Sequence, residues 1–456
     1  MFKDKIIHLI GIGGISMSGI AEILYETGST ITGSDATTSK TTKMLSEKGI
    51  KVIIGEDPTL VEQADIVVYT AAISDENKEL KKAKELNKEL YERVKFLGLI
   101  TKEYDNVICI SGTHGKSTTT GMVASCFLED DKNPTIQIGA FLPKIKSNYY
   151  VGGKEYFIME ACEFVDSFLS FFPTSEIILN IDDDHLDYFG NIDNVKKSFT
   201  KFTNLLPNNG KLVLNNDDEN TMSINYPNNI EILTYGINKD SNVMAKNVSY
   251  DEFGHPEFDI YYNNELYIHV KLSVLGNHNI YNALATTCMC IMHNISKEAN
   301  IKGLSEYIGV ERRFEFIGTY NENILVYDDY AHHPTEINAT LNSTKSIKCH
   351  QNWAVFQSHT FSRTKEHLEE FAEVLKNFDN VIIAPIYPAR EINIYNVKEE
   401  DLVNLIKPFN NNVHYIDSFD NIVEFLKENV KPNDLIITIG AGPVNEVAYK
   451  LAKKDN

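Results

Sequence analysis

Several features that would point this 456-residue chain toward other classes are scarce or missing. It holds one tryptophan and six cysteines, Cys109, Cys126, Cys162, Cys288, Cys290 and Cys349, which are scattered. Their spacing fits neither a zinc site nor a disulfide framework, so free thiols in a reducing compartment are expected. No apolar run is long enough to span a bilayer. The first residues enter a strand at once, without a basic segment ahead of an apolar one, and a cytoplasmic protein is expected. Basic residues are in deficit: 43 Lys and Arg against 64 Asp and Glu leave a net charge of −21. That excludes the basic footprint required by nucleic acid or an anionic membrane. An anionic substrate would have to be held by local cations and helix N-termini.

The length predicts more than one core, and the patterning divides the chain into three. Residues 1–103 alternate strand and helix signals ("KIIHLIGI", "SMSGIAEILYETG", "TITGSD", "ADIVVYTAAI") and predict a Rossmann-like domain. Residues 104–313 open on "NVICISGTHGKSTTTGMV" and predict a P-loop domain with a parallel sheet. A small β-sheet is expected from the hairpin-rich "VMAKNVSYDEFGHPEFDIYYNNELYIHVKLSVLG". Residues 314–456 alternate again and predict a second Rossmann-like domain. The fold class expected is α/β throughout.

Two glycine turns carry the chemistry. In the second, Gly112, Thr113, His114, Gly115, Lys116, Ser117 and Thr118 follow an apolar strand and open a helix. Glycines there let backbone N–H groups turn toward phosphate, and the helix N-terminus adds positive potential. Lys116 supplies a point charge, and the Ser117 hydroxyl is a ligand for Mg²⁺. The first glycine of the usual phosphate-loop spacing is absent, Ser111 preceding Gly112. Glu160 ends "YFIME", and Asp182, Asp183, Asp184 and His185 follow "IILNI", at strand ends where α/β sheets bind ligands. Glu160 and His185 are therefore candidates for holding the metal beside ATP. In the first turn, Gly11, Gly13 and Gly14 follow "IIHLI", and Asp35 ends a second strand. With Ser16 at the third glycine position, this reads as a nucleoside-diphosphate site more than as an NAD site. The intact phosphate cradle also counts against an oxidoreductase, and the presence of Lys116, Glu160 and His185 counts against a regulator that only binds nucleotide.

In order, GIGGISMSGIAE, GTHGKSTTT, EACEFVDSF, DDDHLDYFGN, GNHNIYNALA, ERRFE, DDYAHHPTE and HTFSRT resemble the Mur ligases over essentially the whole chain. The resemblance implies ATP and Mg²⁺ as cofactors and an acyl phosphate formed on the carboxylate of UDP-N-acetylmuramate. L-Alanine would then attack it, giving an amide in peptidoglycan synthesis, with the domains closing over the intermediate. Lys116, His114, His185 and Glu160 are the implied catalytic residues, and Ser117, Glu160 and His185 the implied metal ligands. Gly11, Gly13, Gly14, Ser16, Met17, Ser18, Asp35 and Ser39 would hold the UDP substrate. Asn279, Asn282, Arg313, Asp329 and His332 join the cradle as ATP contacts, and His359 and Arg363 take the alanine. A monomer or homodimer, with no nucleic-acid or membrane partner, is expected. A ligase that returns a preformed tripeptide to the same nucleotide shares nearly every motif and stays open. The chain departs from the family pattern at Glu56, Ser358 and Pro385.

Overall fold

The computed structural model describes residues 2–251, 254–321, 323–389 and 391–452. It has three sheets in a three-domain α/β arrangement. By contacts the chain divides into two compact units: residues 1–246, 259–269 and 281–307, and residues 247–258, 270–280 and 308–456.

The first unit holds the five-stranded sheet and most of the ten-stranded one. Its N-terminal sheet has five parallel strands in the spatial order Lys51–Ile54, Thr30–Asp35, Ile6–Ile10, Ile66–Tyr69, Glu89–Glu92. The chain winds to one side of Ile6–Ile10 and then to the other, so that strand lies at the switch point where open α/β sheets bind ligands. Both faces are covered by helices, which is why "IIHLI" reads as a continuous run rather than an alternating one.

In the second sheet, Asn106–Ser111 is flanked by Ser175–Ile178 on one side and Tyr156–Glu160 on the other, all parallel. The three strands of the hairpin-rich segment are not a detached sheet. They extend this one, joined through the pairing of Tyr235 with Val243, and the sheet reaches ten strands. The two sheets of this unit share one apolar core. Phe96 and Leu97 of the helix Arg93–Thr101 lie in a cluster with Phe168, Phe171, Phe199 and Phe202. Gly98 lets the segment 164–170 come so close that a Cβ would stand 2.0 Å from the Ser170 carbonyl oxygen.

Glu176 is an exception inside this core. It is fully buried, pairs in register with Cys109 and Leu212, and both its carboxyl oxygens lack a hydrogen-bond partner among the described residues. Burial pushes its pKa well above the usual carboxylate value. The unfolded chain therefore releases this proton from about pH 4.5 upward while the folded chain retains it. Stability relative to a neutral residue falls as pH rises through that window. Glu176→Gln is expected to match the parent near pH 4. Its advantage in unfolding free energy should widen by about 1.4 kcal/mol per pH unit above that, read from urea midpoints across pH; a pH-independent gap would contradict the assignment.

The second unit carries a six-stranded sheet in the order Glu315–Tyr320, Ile324–Asp329, Leu435–Ile439, Asn352–Phe356, Asn380–Ile383, Val413–Tyr415. Only the first pair is antiparallel. Its two faces bury separate clusters, one around Phe356 and Phe371 and one around Trp353 and Leu426. The carboxyl edge gathers Asp329, Gln357 to Thr360 and the segment after Ile383.

Candidate active site

The cradle forms where Asn106–Ser111 ends between its two parallel neighbours. Gly112 takes φ +134°, and a Cβ there would stand 3.0 Å from Leu179, so the loop can pass close to the next strand only as glycine. Gly115 takes φ +86° at the start of the helix Lys116–Glu129, against the Asn282 side chain. Asn180 fixes the loop between them. Its carbonyl accepts from Thr113 N–H at 3.0 Å, its side-chain oxygen from His114 N–H at 2.8 Å, and its Nδ2 donates to the His114 carbonyl at 3.0 Å.

Lys116 folds back over this loop. Its ammonium donates to the carbonyls of Gly112 at 2.6 Å and Thr113 at 2.9 Å, and pairs with the buried Glu163 at 3.1 Å. Burial works against the charge, but Glu163, with Cys162 and Glu160 beside it, outweighs burial and raises the pKa of Lys116. The lysine is thus held as a cation without a ligand. Glu163, within the quoted "EACEF", had no role in the sequence reading. A counter-ion three residues beyond a strand end has no periodic signal to betray it.

Ser117 donates to Glu160 Oε2 at 2.8 Å, which also accepts from Gly139 N–H at 3.0 Å. A hydroxyl and a carboxylate held together at a phosphate loop are hard oxygen donors of the kind Mg²⁺ prefers, with water and phosphate completing its shell. Among the described residues no three His, Cys, Asp or Glu side chains converge on one metal position. His114 lies 3.5 Å from Asp182. His185, in a left-handed conformation at φ +55°, is packed against the Phe164 ring, centroids 4.5 Å apart.

Phe164 is carried by an unusual turn. Val165 and Asp166 both adopt left-handed backbone, φ +49° and +56°. For a β-branched residue this is strained, and such strain persists only where other contacts enforce it. Here Asp166 accepts hydrogen bonds from the Ser198 hydroxyl and, at 3.1 Å, the Tyr188 hydroxyl. Val165 is half exposed and gives little by packing. Val165→Gly is expected to raise stability by about 1 kcal/mol, relief of about 1–3 kcal/mol of strain offset by glycine's entropy cost of about 0.5–1 kcal/mol. A urea titration that shows the variant less stable would contradict the strain.

At the first glycine turn, Asp35 Oδ2 accepts from Gly13 N–H at 2.9 Å, and its Oδ1 from Thr37 N–H at 3.2 Å. Gly11 takes φ +84°, and Gly14 precedes the helix Ile15–Glu26. Ser16 accepts from Arg93 Nη1 and Gln137 Nε2, both at 2.9 Å, so a side chain of the second sheet reaches this turn. The helix directs Met17 into the core, while Ser18 spends its N–H on Gly14 and its hydroxyl on Ile15. Ser39 caps the helix Lys40–Glu47. The departure at Glu56 has a local use, accepting from Lys78 N–H at 3.0 Å at the start of another helix.

In the second unit, Arg313 and His332 both meet Glu336, at 3.6 and 3.3 Å. Asp329 accepts from Thr340 at 2.6 Å, and burial lifts its pKa to about 6 despite that bond and the nearby Arg313. Asn279 donates to the Leu275 carbonyl at 2.7 Å; it lies three residues before Asn282 on the helix Asn277–Met292. Arg312, which the sequence reading passed over for its neighbour, binds Asp328 at 3.0 Å and the carbonyls of Gly440 and Gly442 at 2.6 and 2.9 Å. His359 and Arg363 flank Thr360 at the start of the helix Phe361–Glu366. Ser358 bonds Thr364 at 2.6 Å and Pro385 supplies its carbonyl to Gln357 at 2.9 Å, so both departures serve the local scaffold.

Family models match in three consecutive blocks: the Mur ligase family catalytic domain over residues 6–105, the Mur ligase middle domain over 110–290, and the Mur ligase glutamate ligase domain over 312–442. A UDP-N-acetylmuramate–L-alanine ligase of Caldanaerobacter subterraneus is 46% identical over 453 residues, 99% of this chain and 98% of that one. Among solved structures, the UDP-N-acetylmuramate-alanine ligase of Thermotoga maritima superposes with a TM-score of 0.82 at 25% identity, covering 98% of each chain. A murein peptide ligase from Psychrobacter arcticus shares the fold with a TM-score of 0.69 at 23% identity, again over 98% of both. With a relative this similar along almost its full length, the chain belongs to the Mur ligase family.

Proposed function

We propose that this protein joins L-alanine to UDP-N-acetylmuramate with hydrolysis of ATP to ADP and phosphate, in peptidoglycan biosynthesis. The observation that carries the reading is the cradle of Gly112 to Thr118, with Lys116 held charged and Ser117 bonded to Glu160. The full-length identity to alanine-adding relatives supports the choice of acceptor. The turn at Gly11, Gly13 and Gly14, with Asp35, takes the UDP moiety; Asn279, Asn282, Arg313, Asp329 and His332 serve ATP; His359 and Arg363 serve the alanine. Ser117 and Glu160 would hold Mg²⁺, with His185 as the further ligand the family resemblance implies. The ion would offset the repulsion between the substrate carboxylate and the triphosphate. No helix among the described residues is long and apolar enough to cross a membrane. The reading takes the protein to act in the cytoplasm, as a monomer or homodimer.

Physically, the muramyl carboxylate and the γ-phosphate repel until Lys116 and His114 neutralise the charge between them. The carboxylate then attacks in line, and the alanine amine displaces phosphate from the acyl phosphate. Phosphate release from ATP, measured with UDP-N-acetylmuramate and Mg²⁺ while each amino acid is added in turn, tests the reading. Release that requires L-alanine supports it. Release with the tripeptide but not with alanine would move the assignment to muropeptide recycling.

A further inference from the structure

Alanine arrives in neutral water as an ammonium ion with no lone pair to attack with. Arg363 suits its carboxylate, but a cation cannot take its proton. We propose that His359 is the group that accepts this proton, through Nε2. The inference rests on the reading of the chain as an alanine-adding ligase.

Three observations converge on His359. Its Nδ1 is buried and has no hydrogen-bond partner among the described residues, which leaves Nε2 as the nitrogen a substrate can reach. A doubly protonated ring would bury an unsatisfied N–H, so the environment favours the neutral base. The backbone that presents the ring is strained: Thr360 takes φ +67° and ψ +150°, a region almost reserved for glycine. That conformation is enforced from several sides. Thr360 N–H donates to the Tyr387 carbonyl at 2.8 Å, Tyr387 N–H to the Ser358 carbonyl at 2.9 Å, and the Thr364 hydroxyl to the Thr360 carbonyl at 2.5 Å. Strain of this kind is kept where it aims a functional group.

The surroundings agree. The His332 and Tyr387 rings stand 6.3 and 5.6 Å from the His359 ring. Burial, then Arg363 and His332, lower its pKa, and Glu391, fixed by Ser362 N–H at 2.9 Å, opposes them. His332 is a second imidazole at this edge, but its Nδ1 is engaged by the Tyr330 carbonyl at 3.0 Å and by Glu336, which also pairs with Arg313.

The step balances as follows. One N–H bond of the ammonium breaks and its proton passes to His359. The freed lone pair forms the C–N bond to the acyl carbon, and the C–O bond to phosphate breaks. The second proton of the nitrogen leaves with the phosphate. An amide, inorganic phosphate and an imidazolium remain, and the imidazolium returns its proton to water.

His359→Gln tests this in the full-length enzyme with its three substrates. Turnover with L-alanine should fall by about a hundredfold, with the alanine KM within about threefold. With 3,3,3-trifluoro-L-alanine, whose amine is largely unprotonated at neutral pH, the variant should lie within about threefold of the parent. The acid-side bend in the parent's pH profile should vanish, so that the rate climbs tenfold per pH unit with the free amine. Equal losses on both amino acids would overturn the proposal, as would parental turnover and an unchanged bend. The same pattern arising from His332→Gln in place of His359→Gln would also overturn it. If the glutamine variant does not fold, His359→Asn is read by the same ratios. Absence of alanine-dependent phosphate release in the parent would instead refute the functional reading itself.

Discussion

Lys116→Met is expected to lower kcat by at least about a thousandfold, the scale on which a preorganised charge at a developing anion acts. The ammonium sits within 2.9 Å of two loop carbonyls and 3.1 Å of Glu163, so it is already at the phosphate loop, charged and in place. Its pairing with the buried Glu163 keeps it a full positive charge whether or not nucleotide is bound. The substitution also strands Glu163, a buried carboxylate, and breaking a buried pair by removing one partner costs about 3–5 kcal/mol. A loss of activity alone would therefore be ambiguous. Lys116→Met with Glu163→Gln removes both charges, and its melting temperature should return toward that of the parent while turnover stays absent. Phosphate release above a tenth of the parental rate in that folded double variant would mean that the cradle is not where the chemistry occurs.

The cradle was legible because its determinants are contiguous. The strand, the glycines, the lysine and the helix follow one another, and each states its local geometry. The same holds for the alternation of strands and helices that marks the three domains. What was not legible depends on contacts distant in sequence. The left-handed turn at Val165 and Asp166 is enforced by Tyr188 and Ser198, and no pattern within "EFVDSF" announces it. Ser16 looked like a ligand group in a glycine turn, yet Arg93 and Gln137 come from elsewhere in the fold to bind it. Met17 and Ser18 belonged to the same motif, but the helix begins at Ile15 and its phase turns them inward. Departures from the family pattern were equally opaque. In the sequence Glu56, Ser358 and Pro385 stand only as departures from the family pattern, whereas in the structure each is hydrogen-bonded into its own loop or helix end.

Arg363→Ala should raise the KM for alanine by about a hundredfold and leave that for ATP within about twofold. A guanidinium and a carboxylate form two charge-assisted hydrogen bonds, and their loss is worth about 3 kcal/mol, or about two decades of affinity. Arg363→Lys keeps the charge but loses the planar fork, and an increase of about tenfold separates geometry from charge. Equal rises for alanine and ATP would point to a general defect in the unit and sink the assignment. The arginine also acts on its neighbour. It is among the groups that hold the His359 pKa down, after burial itself. Removing it must raise that pKa, so the imidazole stays protonated to higher pH. The acid limb of turnover at saturating alanine should then move to higher pH in Arg363→Ala, by an amount that the charge-conserving lysine largely abolishes. A shift to lower pH would contradict both the placement of Arg363 and the role of His359, because a cation near a base can only favour its neutral form.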